Sequence, residues 1–167
     1  MRIFLTGFMG SGKTHWAPIW AAVQGMPWFD LDEIIVQTHN RSVEEIFEKS
    51  GESYFRLQEA AALRTMIANE HCIIACGGGT PCFDDNMAWM NEHGLTIYLS
   101  AGPQFLLDNI MKEKDKRPLL KKVNQSELLF FIEQKLSERQ AFYNQAKLIL
   151  HAETLHEHSL REIIPQT

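Results

Sequence analysis

No apolar run in this chain approaches the roughly 20 residues that a bilayer-spanning helix needs, so a helical membrane protein is not expected. A basic surface is missing too: 16 Lys and Arg stand against 21 Asp and Glu, a net charge of −5. Binding to a nucleic-acid backbone takes a dominant cationic face, so no nucleic-acid partner is expected. Cysteine is scarce and odd in number, with Cys72, Cys76 and Cys82 in or beside an apolar stretch. Buried, reduced thiols are therefore expected rather than a disulfide framework or a metal site. Met1 to Thr6 is too short for the apolar region of a secretory signal, which points to the cytoplasm. The histidines outside the first glycine-rich stretch show no metal-ligand spacing. Repeats and low-complexity tracts are absent. What is present, 45% hydrophobic and 22% charged residues over 167 positions, suits one ordered domain, and nothing in it forces an oligomer.

Short apolar runs alternate with segments of helical character. The runs are Arg2 to Thr6 (RIFLT), Trp28 and Phe29 before Asp30, Cys72 to Cys76, Leu95 to Leu99 (LTIYL) and Ala146 to Leu150 (AKLIL). Their nearly continuous apolar character predicts strands covered on both faces. Helix starts are predicted at the Ser42/Glu45 capping box, at Pro103 after Gly102, at Ser126, and at a second box of Thr154 and Glu157. Such alternation implies β-α-β units, hence an α/β fold with a parallel sheet and helices on both faces. Pro18, inside the first helical segment, is expected to kink it.

Gly7 to Thr14 reads GFMGSGKT, a full match to G-x-x-x-x-G-K-[ST], directly after the first strand and before a helix. Glycines at 7, 10 and 12 let the backbone turn so that its N–H groups converge on phosphate oxygens, with the next helix aiming its positive end at the same anion. Lys13 supplies a point charge to the terminal phosphates, and Thr14 offers a hydroxyl to Mg²⁺. Gly10, Ser11, Gly12, Lys13, Thr14 and His15 are thus the expected nucleotide contacts.

A phosphate loop alone does not identify a reaction. Asp30 and Asp32 (FDLD) close the second run, and strand alternation would turn both toward the ligand-binding end of the sheet, although turn or cap aspartates fit equally. Gly77, Gly78 and Gly79 leave bare backbone beside whatever binds after the third strand. Arg56 and Arg139 are two of only seven arginines, and both have aromatic neighbours. They could clamp a carboxylate bidentately, though by themselves surface ion pairs on helices are the more ordinary use. The segment from Lys112 to Asn124 holds six cations against Glu113 and Asp115 and is broken by Pro118, which suits either a solvated loop or a basic lid.

GFMGSGKT, FDLDEII, SVEEIFEKSGESYFRLQE, GGG, RPLL and ERQAFY, in this order, resemble shikimate kinase over nearly the whole chain. The resemblance implies a single three-layer α/β/α P-loop kinase domain spanning residues 1–167. It would have a five-stranded parallel sheet, a helical substrate-binding insert at about 32–60 and a lid at about 112–124. It implies phosphorylation of the 3-hydroxyl of shikimate by ATP with Mg²⁺, on the route to aromatic amino acids. Under it, Lys13, Asp32 and Arg117 are catalytic, and Arg117 also meets ATP. Asp32, Arg56, Arg139 and Gly77 to Gly79 bind shikimate, and Glu59 supports Arg56. Thr14 ligates the metal, with Asp30 in its outer shell. Three positions depart from the family: His15 where a second hydroxyl is usual, Ala17-Pro18 for Gly-Arg, and Ile110 for an arginine that stacks on adenine. Lys112 or an apolar contact would then serve the base. A kinase for another small acid, or a nucleotide-binding module without turnover, are the competing expectations.

Overall fold

The computed structural model describes residues 1–112 and 124–164. Five parallel strands, β1 (Arg2–Thr6), β2 (Trp28–Asp30), β3 (Cys72–Ala75), β4 (Leu95–Ser100) and β5 (Leu148–His151), form one sheet in the order β2-β3-β1-β4-β5. The helices are α1 (Lys13–Gln24), α2 (Leu31–His39), α3 (Val43–Thr65), α4 (Asn86–His93), α5 (Pro103–Lys112), α6 (Gln125–Tyr143) and α7 (Ser159–Ile163). The three-layer α/β/α arrangement expected from the strand–helix alternation is the one observed.

Alternation along β1 shows why both faces must be covered. Phe4 enters one core with Ile74, Leu31, Ile35 and Leu63, while Ile3 and Leu5 enter the other with Trp20, Ile73 and Leu99. A central strand with Ile3, Phe4, Leu5 and Thr6 all out of water needs a helix layer on each side. A third apolar cluster joins α5 to α6, with Phe8, Tyr98, Leu106, Ile110 and Tyr143. It anchors α5 and α6 against the chain leaving β1. Because β1 sits between β3 and β4, connections diverge to either side of it, and the crevice at its C-terminal end is the place where such sheets bind ligands.

Several local expectations change. The cap of α6 is Asn124, whose side chain accepts the Ser126 N–H at 2.9 Å, so Ser126 is a first-turn residue and not the cap. Thr154 closes a short 3-10 turn and donates to the His151 carbonyl at 3.1 Å. The predicted box with Glu157 therefore does not form, and α7 begins at Ser159. The last strand starts at Leu148, because Ala146 is taken into the turn after α6 and Lys147 N–H bonds Thr96 Oγ1 at 2.8 Å. α1 runs unbroken past Pro18, its Ala17, Trp20 and Ala21 packed on the sheet. All three cysteines are free thiols; Cys72 and Cys76 are buried, whereas Cys82, past the strand in a 3-10 turn, is only half-buried. Among the described residues no helix is long and apolar enough to cross a membrane. The expected lid lies outside the described residues except for Lys112 and Asn124, and Arg117 falls outside with it.

The capping box of α3 is complete: Ser42 Oγ accepts the Glu45 N–H at 3.1 Å, and Glu45 Oε2 accepts the Ser42 N–H at 3.0 Å. Ser42→Ala is expected to cost about 1 kcal/mol, read as a drop in Tm of about 2–4 °C. An unchanged midpoint in thermal unfolding would show that α3 does not depend on its cap.

Candidate active site

The loop between β1 and α1 has left-handed or otherwise glycine-only backbone at Gly7 (φ 140), Gly10 (φ 85) and Gly12 (φ 95). Space forbids side chains there as well: a Cβ on Gly7 would stand 2.8 Å from the Leu99 carbonyl, and one on Gly10 2.9 Å from the Leu106 carbonyl. Asn109 on α5 donates to the Gly10 carbonyl at 2.9 Å and holds the loop from the side. Lys13, the first residue of α1, spans the mouth of the loop and donates to the carbonyls of Gly7 (2.7 Å) and Phe8 (2.9 Å). Burial lowers its pKa to about 8, although Asp32, Cys76 and Asp30 all favour its charged form.

Both aspartates of FDLD reach the cleft, but not by strand alternation. The strand ends at Asp30, which caps α2: its Oδ1 accepts the N–H of Asp32 at 2.9 Å and of Glu33 at 3.4 Å. Its other oxygen accepts the Thr14 hydroxyl at 2.9 Å. Asp32 lies in the first helical turn, and its Oδ1 is buried without a hydrogen-bond partner among the described residues. Burial raises its pKa to about 6, reinforced by Asp30 and Glu59 and opposed by Lys13 and Arg56. A buried carboxylate oxygen with no donor is costly, and such sites are found where a ligand or a reaction supplies the donor.

The three glycines after β3 are where Glu59, Asp32, Arg139 and Arg56 come together. A Cβ on Gly77 would collide with Glu59 and stand 3.2 Å from Asp32 Oδ1. On Gly78 it would lie 3.6 Å from Arg139 Nη1, and on Gly79 2.5 Å from Arg56 Nη1. Arg56, on α3, and Arg139, on α6, thus approach adjacent residues of one turn. Glu59 is wholly buried and accepts Arg56 Nη1 at 2.8 Å and the Thr80 hydroxyl at 2.5 Å. The Arg56 guanidinium also lies over Phe83, 4.5 Å from the ring centre, and Arg139 lies over Phe8 at 5.5 Å.

One cleft of about 730 Å³ is lined by the phosphate loop, Asp30, Asp32, Gly77 and Gly78, and also by Phe105, Lys112 and Leu155. His15 lines it as well, its ring edge-on to Trp16. Ile110 is buried against Gly10, so it takes no place in the cleft; Lys112 does. Sequence reasoning passed over Tyr143, whose hydroxyl donates to the Gly78 carbonyl at 2.6 Å. Its spacing of four from Arg139 on one helix face was the available signal. It also passed over Thr80, Asn109 and Trp16, which carry no motif of their own.

A phosphate-cradling loop whose cleft also holds Asp30 and Asp32, beside a glycine turn approached by two guanidiniums, is the arrangement of a P-loop phosphotransferase. The family model for shikimate kinase matches residues 9–167. A shikimate kinase of Bacteroides thetaiotaomicron is 40% identical over 155 residues, covering 93% of this chain and 89% of that protein. The crystal structure of shikimate kinase from B. thetaiotaomicron superposes with a TM-score of 0.93 at 37% identity, over 98% of this chain and 97% of that one. The Acinetobacter baumannii shikimate kinase in complex with shikimate gives 0.82 at 28% identity, over 97% and 92% of the two chains. The chain belongs to the shikimate kinase family, and it is an enzyme.

Because Asp32 holds its proton more tightly when folded (about 6 against an ordinary 3.8), stability falls as pH rises across that window and stays lowered above it. Asp32→Asn removes this penalty. At pH 7 it is expected to be more stable by about 1–3 kcal/mol, with the gain gone below pH 4; urea unfolding at both pH values measures it. A variant less stable at pH 7 would contradict the strained-carboxylate assignment.

Proposed function

We propose that the chain transfers the γ-phosphoryl group of ATP to the 3-hydroxyl of shikimate, giving shikimate 3-phosphate and ADP, a step toward aromatic amino acids. The observation that carries this is Asp32. Its buried Oδ1, without a partner among the described residues, stands beside Gly77, in a cleft shared with Lys13 and next to the turn that Arg56 and Arg139 approach. An acceptor whose carboxylate is held by the two arginines would present a hydroxyl toward that oxygen. Asp32 would accept its proton or orient it for in-line attack. Gly77 to Gly79 would admit the ring because they carry no side chains.

On the donor side, the loop N–H groups of Gly10 to His15 would cradle the phosphates, with Lys13 neutralising charge as it develops. Arg117, outside the described residues, would add a second cation from the lid. The Thr14 hydroxyl and the Asp30 carboxylate, 2.9 Å apart in the cleft, are hard oxygen ligands that fit a hydrated Mg²⁺. Thr14 would ligate it directly and Asp30 through water, and bound there the ion would neutralise phosphate charge. Phosphoryl transfer asks for positioning and charge neutralisation more than covalent chemistry, which is what these residues supply. α2 and the first part of α3 would serve as the acceptor-binding insert of a single domain.

A coupled ADP-release assay over a panel of small acids is expected to give Mg²⁺-dependent turnover with shikimate and none with sugar acids or nucleoside monophosphates. Turnover with one of those instead, or binding of ATP and shikimate without product, would overturn the proposal. Ionised Asp32 and protonated Lys13 are both needed, so kcat/KM should rise through about pH 6 and fall above about pH 8. Asp32→Asn should lose at least about 100-fold in kcat, and whatever activity remains should lack the acid limb. Persistence of that limb would move the base elsewhere.

A further inference from the structure

The Arg56 guanidinium is held by groups of unequal permanence. Its Nη1 is tied to Glu59, which has no exposure to solvent, and its face is covered by Phe83. The remaining edge, Nε and Nη2, donates at 3.3 and 3.1 Å to a single oxygen, Oε1 of Glu52. That edge is one a carboxylate can grip with two parallel bonds. The Glu52 side chain is 57% exposed while that of Arg56 is 11% exposed. Glu52 follows directly on Gly51, whose φ of 82 and ψ of 168 break α3, so it opens the helical stretch that carries Arg56 four residues on.

We infer that Glu52 is an internal stand-in for the substrate's carboxylate, holding the open edge of Arg56 until an acid of the right reach displaces it. This deepens the acceptor assignment above and rests on it. Charge supports it. Around the acceptor end three cations, Arg56, Arg139 and Lys13, stand against four carboxylates, Asp30, Asp32, Glu52 and Glu59. An incoming anion meets an excess of negative charge unless one carboxylate leaves. Glu59 is sealed and doubly bonded, and Asp32 is fixed in the first turn of α2 behind Gly77. Glu52, exposed and held among the described residues by its bonds to Arg56, is the group free to swing out.

Selectivity follows. A small anion that reaches Arg56 alone exchanges one carboxylate for another and gains little. An acid that also reaches Arg139, at the neighbouring glycine, gains a second set of charge-assisted bonds. Glu52 thus sets a threshold against small anions, and its displacement reduces the apparent affinity for the substrate.

Shikimate is titrated calorimetrically into the full chain and into Glu52→Gln, with and without acetate as competitor. Gln keeps an acceptor oxygen for Arg56 but no charge. The expected result is that Glu52→Gln binds shikimate about two- to fivefold more tightly, and that acetate competes with it at concentrations that leave the unaltered protein unaffected. Weaker or unchanged shikimate binding would show that Glu52 merely steadies Arg56 and would overturn the inference. Equal acetate competition in both proteins would overturn it too. Failure of the unaltered protein to bind shikimate at all is a different result: it removes the acceptor assignment itself, and the inference with it. Glu52→Ala, lacking any acceptor for Arg56, should tighten binding in the same direction.

Discussion

The site depends on a turn without side chains. Glu59 and Asp32 approach Gly77, and Arg56 approaches Gly79, more closely than a methyl group allows, while Arg139 lies at ordinary contact distance from Gly78. Backbone bare of Cβ atoms lets groups from α2, α3 and α6 converge within one residue of each other, beside a loop from β1. Parallel strands bring the C-terminal ends of β1, β2 and β3 to one edge, and the register Leu5–Ala75 and Asp30–Ala75 sets the two loops and the FDLD segment side by side. Packing thus determines the site before any chemistry is considered.

Within that frame the charges balance in pairs that differ in depth. Glu59 is wholly buried and accepts from Arg56 and Thr80, so it acts by positioning those two side chains. Asp32 Oδ1 is left without a donor among the described residues, and burial raises the pKa of its carboxyl, the condition under which a carboxylate accepts a proton near neutral pH. Lys13 suffers the opposite desolvation and holds its charge less firmly than usual, which any phosphate beside it would reverse. Glu52 stays at the surface, where its bond to Arg56 is cheap to break.

Much of the fold was legible because strong local rules agreed with the tertiary outcome. Continuous apolar runs marked all five strands, and the Ser42–Glu45 box marked the start of α3. The phosphate loop was readable for the same reason, since its glycines are required by backbone angles and not by partners distant in sequence. For Asp30 and Asp32 strand alternation and a cap fit the sequence equally, and the structure takes the cap: Asp30 ends the strand and caps α2, whose first turn carries Asp32 into the cleft. Ser126 and Thr154 misled because several cap-forming residues lay close together and only tertiary contacts decided among them. Tyr143 and Thr80 stayed out of view since their partners, the Gly78 carbonyl and Glu59, are set by the folding of α3 and α6 onto the glycine turn, whereas Glu52, four residues before Arg56, was open to helix spacing.

A crystal structure with ADP and shikimate bound addresses the shared cleft directly. It should show the shikimate carboxylate between Arg56 and Arg139, and its 3-hydroxyl within hydrogen-bond reach of Asp32 Oδ1, facing the phosphate side of Lys13. Shikimate bound away from the glycine turn, or oriented with its carboxylate toward Asp32, would contradict it.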